Sequence, residues 1–229
     1  MAFDGFPREG LDFLVDLSEH NTRDWFTANR QRYVDHLQAP ALDFVEQVGG
    51  HLQADHPDLR FSTATNGSGS LMRINRDVRF SADKSPYKTA VAGMWWLGEG
   101  KKTQRPAYGF HLEADCMYLM GGMFHFDAGQ LARYRDAVLD DDLGPRLAEV
   151  VAELESDETL QVGGEHYKRV PRGVPADHER ERLLRHSALV VMPTALTPEE
   201  ATSGGVVDLV VDRLRRTRPV VDWLADALR

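Results

Sequence analysis

The sequence predicts an α+β fold, in which a central antiparallel sheet is flanked by N-terminal helices and C-terminal helices. Hydrophobic residues recur with helical spacing in residues 1–55, and again across much of residues 127–229, which we expect to be mixed but mainly helical. Between them, residues 60–126 contain short strand-like runs separated by turn residues. Helices at both ends and closely spaced strands in the middle are typical of an α+β domain. We therefore predict a single domain over residues 1–229.

Three helices are predicted before the sheet. The first covers residues 8–20, the second residues 22–36 and the third residues 41–54. Pro40 lies at the first turn of the third helix, where a missing N–H is tolerated. In the second helix, four side chains could face a binding site although the apolar ones are core: Arg23, Asn29, Arg30 and Tyr33.

Strands are predicted over residues 89–97, 107–113 and 116–125, where apolar residues dominate and no helical period is present. A terminal amphipathic helix follows over residues 205–228, and Pro219 should kink or divide it because proline interrupts the helical hydrogen bonds. Adjacent strand residues point to opposite faces, so one of the two neighbouring tryptophans is expected in the core, and the other could wall a cleft: Trp95 and Trp96.

The most basic stretch of the chain runs from Arg73 to Lys88. It carries five arginine and lysine residues against two aspartates, a net charge of +3, whereas the whole chain has a formal net charge of −9. A local excess of positive charge on an acidic protein attracts anions. This contrast makes the stretch the best candidate for a binding site.

With the two-residue period of a strand, residues 72–80 separate into an apolar and a polar face. Only Arg76 interrupts the apolar face, and a buried charge needs a partner. Asp77 is its neighbour but points to the opposite face, so we expect the partner of Arg76 to lie elsewhere. Residues 81–86 are predicted to form a turn, after which Tyr87 and Lys88 lead into the second strand, residues 89–97. The apolar face is predicted to be buried and consists of Met72, Ile74, Val78 and Phe80.

The residue types of this stretch suit an anionic ligand. Arginine presents a planar fork of donors to phosphate or carboxylate, and lysine adds a mobile charge. Asp77 could act as a base or orient an arginine, and Tyr87 could donate a proton. These two are the candidate catalytic residues. The candidate ligand-binding residues are Arg73, Arg76, Arg79, Asp83, Lys84 and Lys88.

Three functional hypotheses stay open at this point. The protein could be an enzyme acting on a phosphorylated metabolite or nucleotide. It could instead be a non-catalytic module that binds a nucleotide, a nucleic-acid end or an acidic partner. The third hypothesis is structural, with Arg–Asp pairs that only pin a loop between two strands, since ion-pair networks also form for structural reasons.

Composition and residue spacing argue against a secreted, membrane-spanning, duplex-binding or metal-binding protein. Cys116 is the only cysteine, which favours a reducing cytoplasm, and neither a signal peptide nor a membrane span is recognisable. The net charge of −9 argues against binding to duplex nucleic acid. We predict no metal site, because His111 and His125 have no partners at metal-ligand spacing. The sequence identifies no cofactor and leaves the oligomeric state unknown.

The basic stretch resembles the signature of a mainly bacterial family, domain of unknown function 2461. That signature is Arg-x-x-Arg-Asp-x-Arg-Phe followed by Asp or Asn-Lys-x-x-Tyr. Every position of the signature is filled in this sequence, and similar segments occur near both ends of the chain. The resemblance implies membership of that family and carries no particular activity with it. The matching residues are Arg73, Arg76, Asp77, Arg79, Phe80, Asp83, Lys84 and Tyr87.

Overall fold

The computed structural model describes residues 3–229 and confirms the α+β fold with an antiparallel sheet. The six strands of the sheet follow the order β1-β2-β3-β4-β6-β5. Consecutive strands are neighbours from β1 to β4, and the connections from β2 to β3 and from β3 to β4 are short, as the sequence predicts. The strands are β1 (Leu59–Arg60), β2 (Val91–Leu97), β3 (Ala107–Leu112), β4 (Met117–Met123), β5 (Leu160–Glu165) and β6 (His186–Pro193).

Helices precede and follow the strands in the chain. Among the described residues, no helix is long and apolar enough to cross a membrane. The helices are α1 (Arg8–Glu19), α2 (Arg23–Tyr33), α3 (Ala39–Gln53), α4 (Ala128–Leu139), α5 (Leu143–Glu155), α6 (Glu181–Leu184), α7 (Pro198–Ala201), α8 (Val206–Arg215) and α9 (Arg218–Ala227).

The chain divides into two compact units, each assembled from separate segments. The first unit contains residues 1–95, 109–118 and 195–212. The second unit contains the remaining residues, 96–108, 119–194 and 213–229. The single domain expected from the sequence remains a prediction.

In the first unit, the predicted break between the second and third helices is wrong. Helix α2 continues through a π-helical turn, Val34–Gln38, directly into α3. The Ala39 N–H donates to the carbonyl of Val34, five residues back, which is the π pattern. Pro40 therefore lies in the first turn of α3 on a continuous helical path and does not start a separate helix.

Aromatic packing fills the core of the first unit. The Phe44 ring lies 5.1 Å from the Phe6 ring, 5.1 Å from the Phe110 ring and 6.0 Å from the Trp95 ring, between centroids. Trp95 is fully buried and its Nε1–H donates to the Val45 carbonyl at 2.8 Å. These contacts join α3 to strands β2 and β3.

The second unit has its own core around Tyr134. This side chain is fully buried, stacks on Phe126 at 4.7 Å and donates its hydroxyl to the Leu183 carbonyl at 3.0 Å. Trp223 packs edge-to-face with the Tyr134 ring and its Nε1–H donates to the Leu143 carbonyl at 2.9 Å. The predicted division at Pro219 is confirmed, because α8 ends at Arg215 and α9 begins at Arg218.

Acid should destabilise the protein through His186, which is 1% exposed. Burial, together with Arg182, lowers the pKa of His186 from 6.5 to about 4, although Glu165 and Glu155 oppose this. The folded state thus excludes a proton that the unfolded state binds below pH 6.5. The stabilisation that comes from keeping His186 neutral is complete above that pH and is lost as the pH falls from about 6.5 towards 4. We expect unfolding free energy to drop by about 2 kcal/mol between pH 7 and pH 5 from this group.

Urea unfolding at the two pH values tests this expectation. His186→Gln should flatten the pH dependence, whereas His125→Gln, at an exposed histidine, should leave it unchanged. An equally steep pH dependence in the His186 variant would show that another group is responsible.

Candidate functional site

The basic stretch forms an irregular hairpin in the first unit. Isolated bridges pair Leu71 with Gly93 and Asn75 with Tyr87 in antiparallel fashion. The Arg76 N–H donates to the Pro86 carbonyl at 2.9 Å. The predicted strand–loop–strand path is therefore present, although regular strand geometry begins only at Val91.

The expectation that residues 72–80 form a strand with a buried Phe80 is wrong. Phe80 is 95% exposed, and the Arg79 guanidinium lies over its ring at 5.8 Å. Asp77 explains the difference, because its Oδ1 accepts from the Arg79 N–H at 3.2 Å and from Arg79 Nε at 2.9 Å. Such local bonds compete with the sheet ladder and turn the chain away from its partner.

Asn21 attaches the hairpin to the junction between α1 and α2. Its Oδ1 accepts from the Tyr87 N–H at 3.1 Å and its Nδ2 donates to the Tyr87 carbonyl at 3.0 Å. The Tyr87 ring stacks on Phe26 with centroids 4.0 Å apart. A buried ring and a paired backbone thus fix the position of Tyr87 and of the cation that follows it, Lys88.

The arginine and lysine side chains of the hairpin bond mainly to other groups of the hairpin. Arg76 forms an ion pair with Asp83, so its partner is not Asp77, as predicted. Arg79 pairs with Asp77 through Nη2 and Oδ2 at 2.7 Å. Two lysines bond to carbonyl oxygens: Lys84 Nζ donates to Val78 and Lys88 Nζ to Arg73, each at 2.9 Å.

These pairings set the protonation of the two aspartates. Bonds from Arg79 lower the pKa of Asp77. Bonds from Ser85, and then from Arg76, hold the pKa of Asp83 well below its usual range. Both carboxylates stay ionised at neutral pH and are weak bases. Of the two roles predicted for Asp77, the geometry favours orientation of Arg79 over general base catalysis.

Arg73 belongs to a different environment, which we call the arginine cleft. This cleft has a volume of about 370 Å³ and its lining includes Arg30 and Arg73 but no carboxylate. The Arg30 side chain has no hydrogen-bonded or ionic partner among residues 3–229. The lining consists of Phe26, Arg30, Tyr33, Val34, Gln38, Ala64, Thr65, Asn66, Gly67, Leu71, Met72, Arg73, Ile74 and Asn75.

Two backbone features shape the arginine cleft. Val34 and Gln38, which begin and end the π-helical turn, both line it, and π turns occur frequently at functional sites. Gly67 adopts φ +93°, and a Cβ there would approach Arg73 Nε to 2.4 Å. Arg73 Nη2 also donates to the Asn66 carbonyl at 3.0 Å. The glycine turn of residues 66–70 thus holds the Arg73 guanidinium closely.

A second cavity, of about 350 Å³, contains more of the predicted residues, and we call it the mixed-charge cleft. It carries charges of both signs, and His111 Nε2 lies 3.0 Å from Glu113 Oε1 in its wall. Within this cleft Arg76 pairs with Asp83 and His111 contacts Glu113, whereas Lys88 bonds to the Arg73 carbonyl. The lining consists of Ser18, Asn21, Arg76, Asp83, Ser85, Tyr87, Lys88, Thr89, Ala90, His111 and Glu113.

The structure thus separates the candidate residues into three groups. Arg73 lines the arginine cleft. The mixed-charge cleft contains Arg76, Asp83, Tyr87 and Lys88. Three others line neither of these two clefts: Asp77, Arg79 and Lys84.

Sequence reasoning missed several cleft residues. Gln38 and Thr65 carry no distinguishing pattern. His111 was expected in a strand that could bring it near the site, and it lines the mixed-charge cleft; Glu113 was missed, although residues two apart on a strand share a face. Arg30 and Tyr33 were expected as side chains that could face a site, and both line the arginine cleft.

One further cluster lies at the turn between β3 and β4. The ligand atoms of Glu113, Asp115 and Cys116 lie within 4.8 Å of one another. Burial raises the pKa of the Cys116 thiol, so it is protonated at neutral pH. A protonated thiol beside solvent-exposed acids does not by itself make a metal site.

Fold and clefts together define an α+β protein whose first unit has an open cleft rich in arginine. A family model described as "Conserved hypothetical protein (DUF2461)" matches residues 9–223. The chain belongs to this family, as the basic signature predicted. A search of the curated proteins gives no match to the chain.

Proposed function

We propose that the protein binds a small phosphate- or carboxylate-bearing ligand in the arginine cleft. One observation carries this proposal: two guanidinium groups share a cleft without any carboxylate, and one of them, Arg30, has no internal partner among the described residues. Arg73 bonds to the Asn66 carbonyl, and a guanidinium offers five donors. Donors therefore remain on both arginines for an anion.

The energy of such contacts is sufficient for a small ligand. Each charge-assisted hydrogen bond contributes about 1.5–3 kcal/mol, so three contribute about 5–9 kcal/mol, which corresponds to millimolar to micromolar affinity before the cost of ordering the ligand. A volume of about 370 Å³ is at the lower end of the range for small-molecule sites. The cleft suits one small molecule, in keeping with the argument against duplex nucleic acid from the net charge of −9.

Neither candidate catalytic residue, Asp77 or Tyr87, lines the arginine cleft. Tyr87 remains the candidate proton donor, and it lines the mixed-charge cleft with Lys88. Asp77 is ionised and held by Arg79, which weakens the case for a catalytic base. A non-catalytic binding module is therefore the simpler form of the proposal.

For four cations of the basic stretch, a structural role is favoured instead. Each has an acceptor inside the hairpin, either a carboxylate or a backbone carbonyl. Such bonds close the loop against itself and leave fewer donors for a ligand. The four are Arg76, Arg79, Lys84 and Lys88.

The proposed setting is the cytoplasm. A single cysteine, Cys116, suits a reducing compartment, and phosphorylated and carboxylated metabolites are abundant there. No cofactor and no metal is part of the proposal.

Removing either arginine should weaken anion binding. We expect pyrophosphate, citrate or a sugar phosphate to bind the full chain, and Arg30→Gln or Arg73→Gln to weaken that binding about 10- to 100-fold, the equivalent of one charge-assisted bond. Isothermal titration calorimetry at low and high salt measures both the affinity and its electrostatic part.

Arg79→Gln is the matched control, because it removes the same charge from a residue outside the arginine cleft. Its affinity should equal that of the parent. Loss of binding in the Arg79 variant with normal binding in the Arg30 variant would place the anion on the hairpin loop and overturn the proposal.

Gly67→Ala should impair binding without touching an arginine. The added Cβ meets Arg73 at 2.4 Å in a backbone conformation of φ +93°, so the guanidinium must move. We expect a stability loss of about 1–2 kcal/mol and a severalfold weaker anion affinity, measured by urea unfolding and calorimetry.

Gly173→Ala separates the two effects, since Gly173 has φ +94° and a methyl group added there would meet no described atom within 4 Å. It should show the backbone penalty alone, with normal anion affinity. Equal affinity in both glycine variants would contradict the role given to Arg73.

A further inference from the structure

The arginine cleft contains more hydrogen-bonding capacity than an isolated anion can use. Beyond Arg30, four lining side chains have no side-chain hydrogen bond within residues 3–229. Burial raises the pKa of the Tyr33 hydroxyl, so it stays protonated and can both donate and accept. The amides offer donors and acceptors together. The four are the hydroxyls of Tyr33 and Thr65 and the amides of Gln38 and Asn75.

These groups are spread along the cleft. Arg30 and Gln38 lie on one continuous helical path and are eight residues apart, so their backbones are separated by about two helical turns, somewhat less than the roughly 12 Å of an uninterrupted α-helix. A ligand that contacts both side chains in extended conformations is elongated, with an anionic end and a second polar end. Inorganic phosphate or a short dicarboxylate does not span this distance.

Most of the remaining lining is apolar, and these apolar residues alternate along the chain with the polar ones. Val34 comes from the π turn, and Leu71, Met72 and Ile74 come from the first arm of the hairpin. A sugar presents hydroxyl groups on every side and would lose their hydration against aliphatic side chains. A planar heterocycle has apolar faces and a polar edge, so it matches aliphatic walls and amide side chains at once.

We infer that the ligand is a nucleoside monophosphate, an inference that rests on the proposed function of the same cleft. The phosphate binds Arg30 and Arg73, and the faces of the base contact the aliphatic walls. The edge of the base bonds to the amides of Gln38 and Asn75, because amides pair with the mixed donor and acceptor edge of a base. A volume of about 370 Å³ holds one nucleotide and not an oligonucleotide.

The test compares ligands that differ by one part. Calorimetric titration of the full chain with AMP, GMP, CMP and UMP, and with ribose 5-phosphate and inorganic phosphate, separates the base from the anion. We expect at least one mononucleotide to bind about 10-fold or more tightly than ribose 5-phosphate. Gln38→Leu and Asn75→Leu should remove most of that advantage and leave ribose 5-phosphate affinity unchanged, whereas Arg30→Gln should weaken every ligand.

Each other outcome contradicts a distinct claim. Equal affinity for ribose 5-phosphate and all four mononucleotides would overturn this inference and leave the anion proposal intact. Absence of binding by every anion would overturn both. A 5′-phosphorylated trinucleotide that binds more tightly than any mononucleotide would identify a strand end as the ligand and overturn the assignment to a free nucleotide.

Discussion

We expect Trp95→Ala to lower the unfolding free energy by about 3–5 kcal/mol, the usual range for a buried tryptophan. The Trp95 side chain is fully buried and packs against Phe44 and Phe110 at 6.0 and 5.6 Å. Truncation removes this packing, opens a cavity that the surrounding rings cannot fill, and leaves the Val45 carbonyl without its 2.8 Å hydrogen bond. Urea unfolding followed by circular dichroism measures the loss.

The neighbouring tryptophan supplies the control. Trp96 is 9% exposed, but its buried Nε1–H has no partner among the described residues, in contrast to that of Trp95. Trp96→Phe therefore discards an unpaired polar group, and we expect a change of less than about 1 kcal/mol. Trp95→Phe, which removes the hydrogen bond to the Val45 carbonyl, should lower the unfolding free energy more. Equal losses in the two phenylalanine variants would show that the hydrogen bond to Val45 contributes little.

Local periodicity was enough to predict the fold class. The central strands alternate or run apolar over short lengths, and Pro219 divides the terminal helices because it cannot continue the backbone hydrogen bonds. The π turn was not predictable in the same way. The path from α2 to α3 stays helical through Pro40 by inserting a wider turn, and the sequence shows only the proline.

The basic stretch shows where local pattern stops being informative. Alternation correctly indicated antiparallel pairing, which Asn75 makes with Tyr87, but side-chain bonds from Asp77 to Arg79 turn the chain before Phe80 can be buried. Arginines close in the sequence also need not share a site. Arg73 lines one cleft with Arg30, more than forty positions away, while Arg76 lines another. Such pairings depend on how α2 packs against the hairpin, which no short-range signal records.

The second large effect is expected at Asn21. Asn21→Ala removes both hydrogen bonds to the Tyr87 backbone, at 3.1 and 3.0 Å, and leaves a largely buried N–H and carbonyl unpaired. Each orphaned group costs about 1–3 kcal/mol, so we expect a total loss of about 2–6 kcal/mol in urea unfolding. Asn21→Asp keeps the acceptor for the Tyr87 N–H but loses the donor, and its loss should be intermediate.

The Asn21 variants also test whether the attachment of the hairpin affects ligand binding in the arginine cleft. The hairpin supplies Arg73 to the arginine cleft, and Asn21 attaches the hairpin at Tyr87 without lining that cleft itself. If the attachment positions Arg73, then Asn21→Asp, measured where it is still folded, should weaken pyrophosphate severalfold while Arg79→Gln does not. If the Asn21 variants lose stability but bind pyrophosphate like the parent, the glycine turn at Gly67 alone is sufficient to hold Arg73 in place.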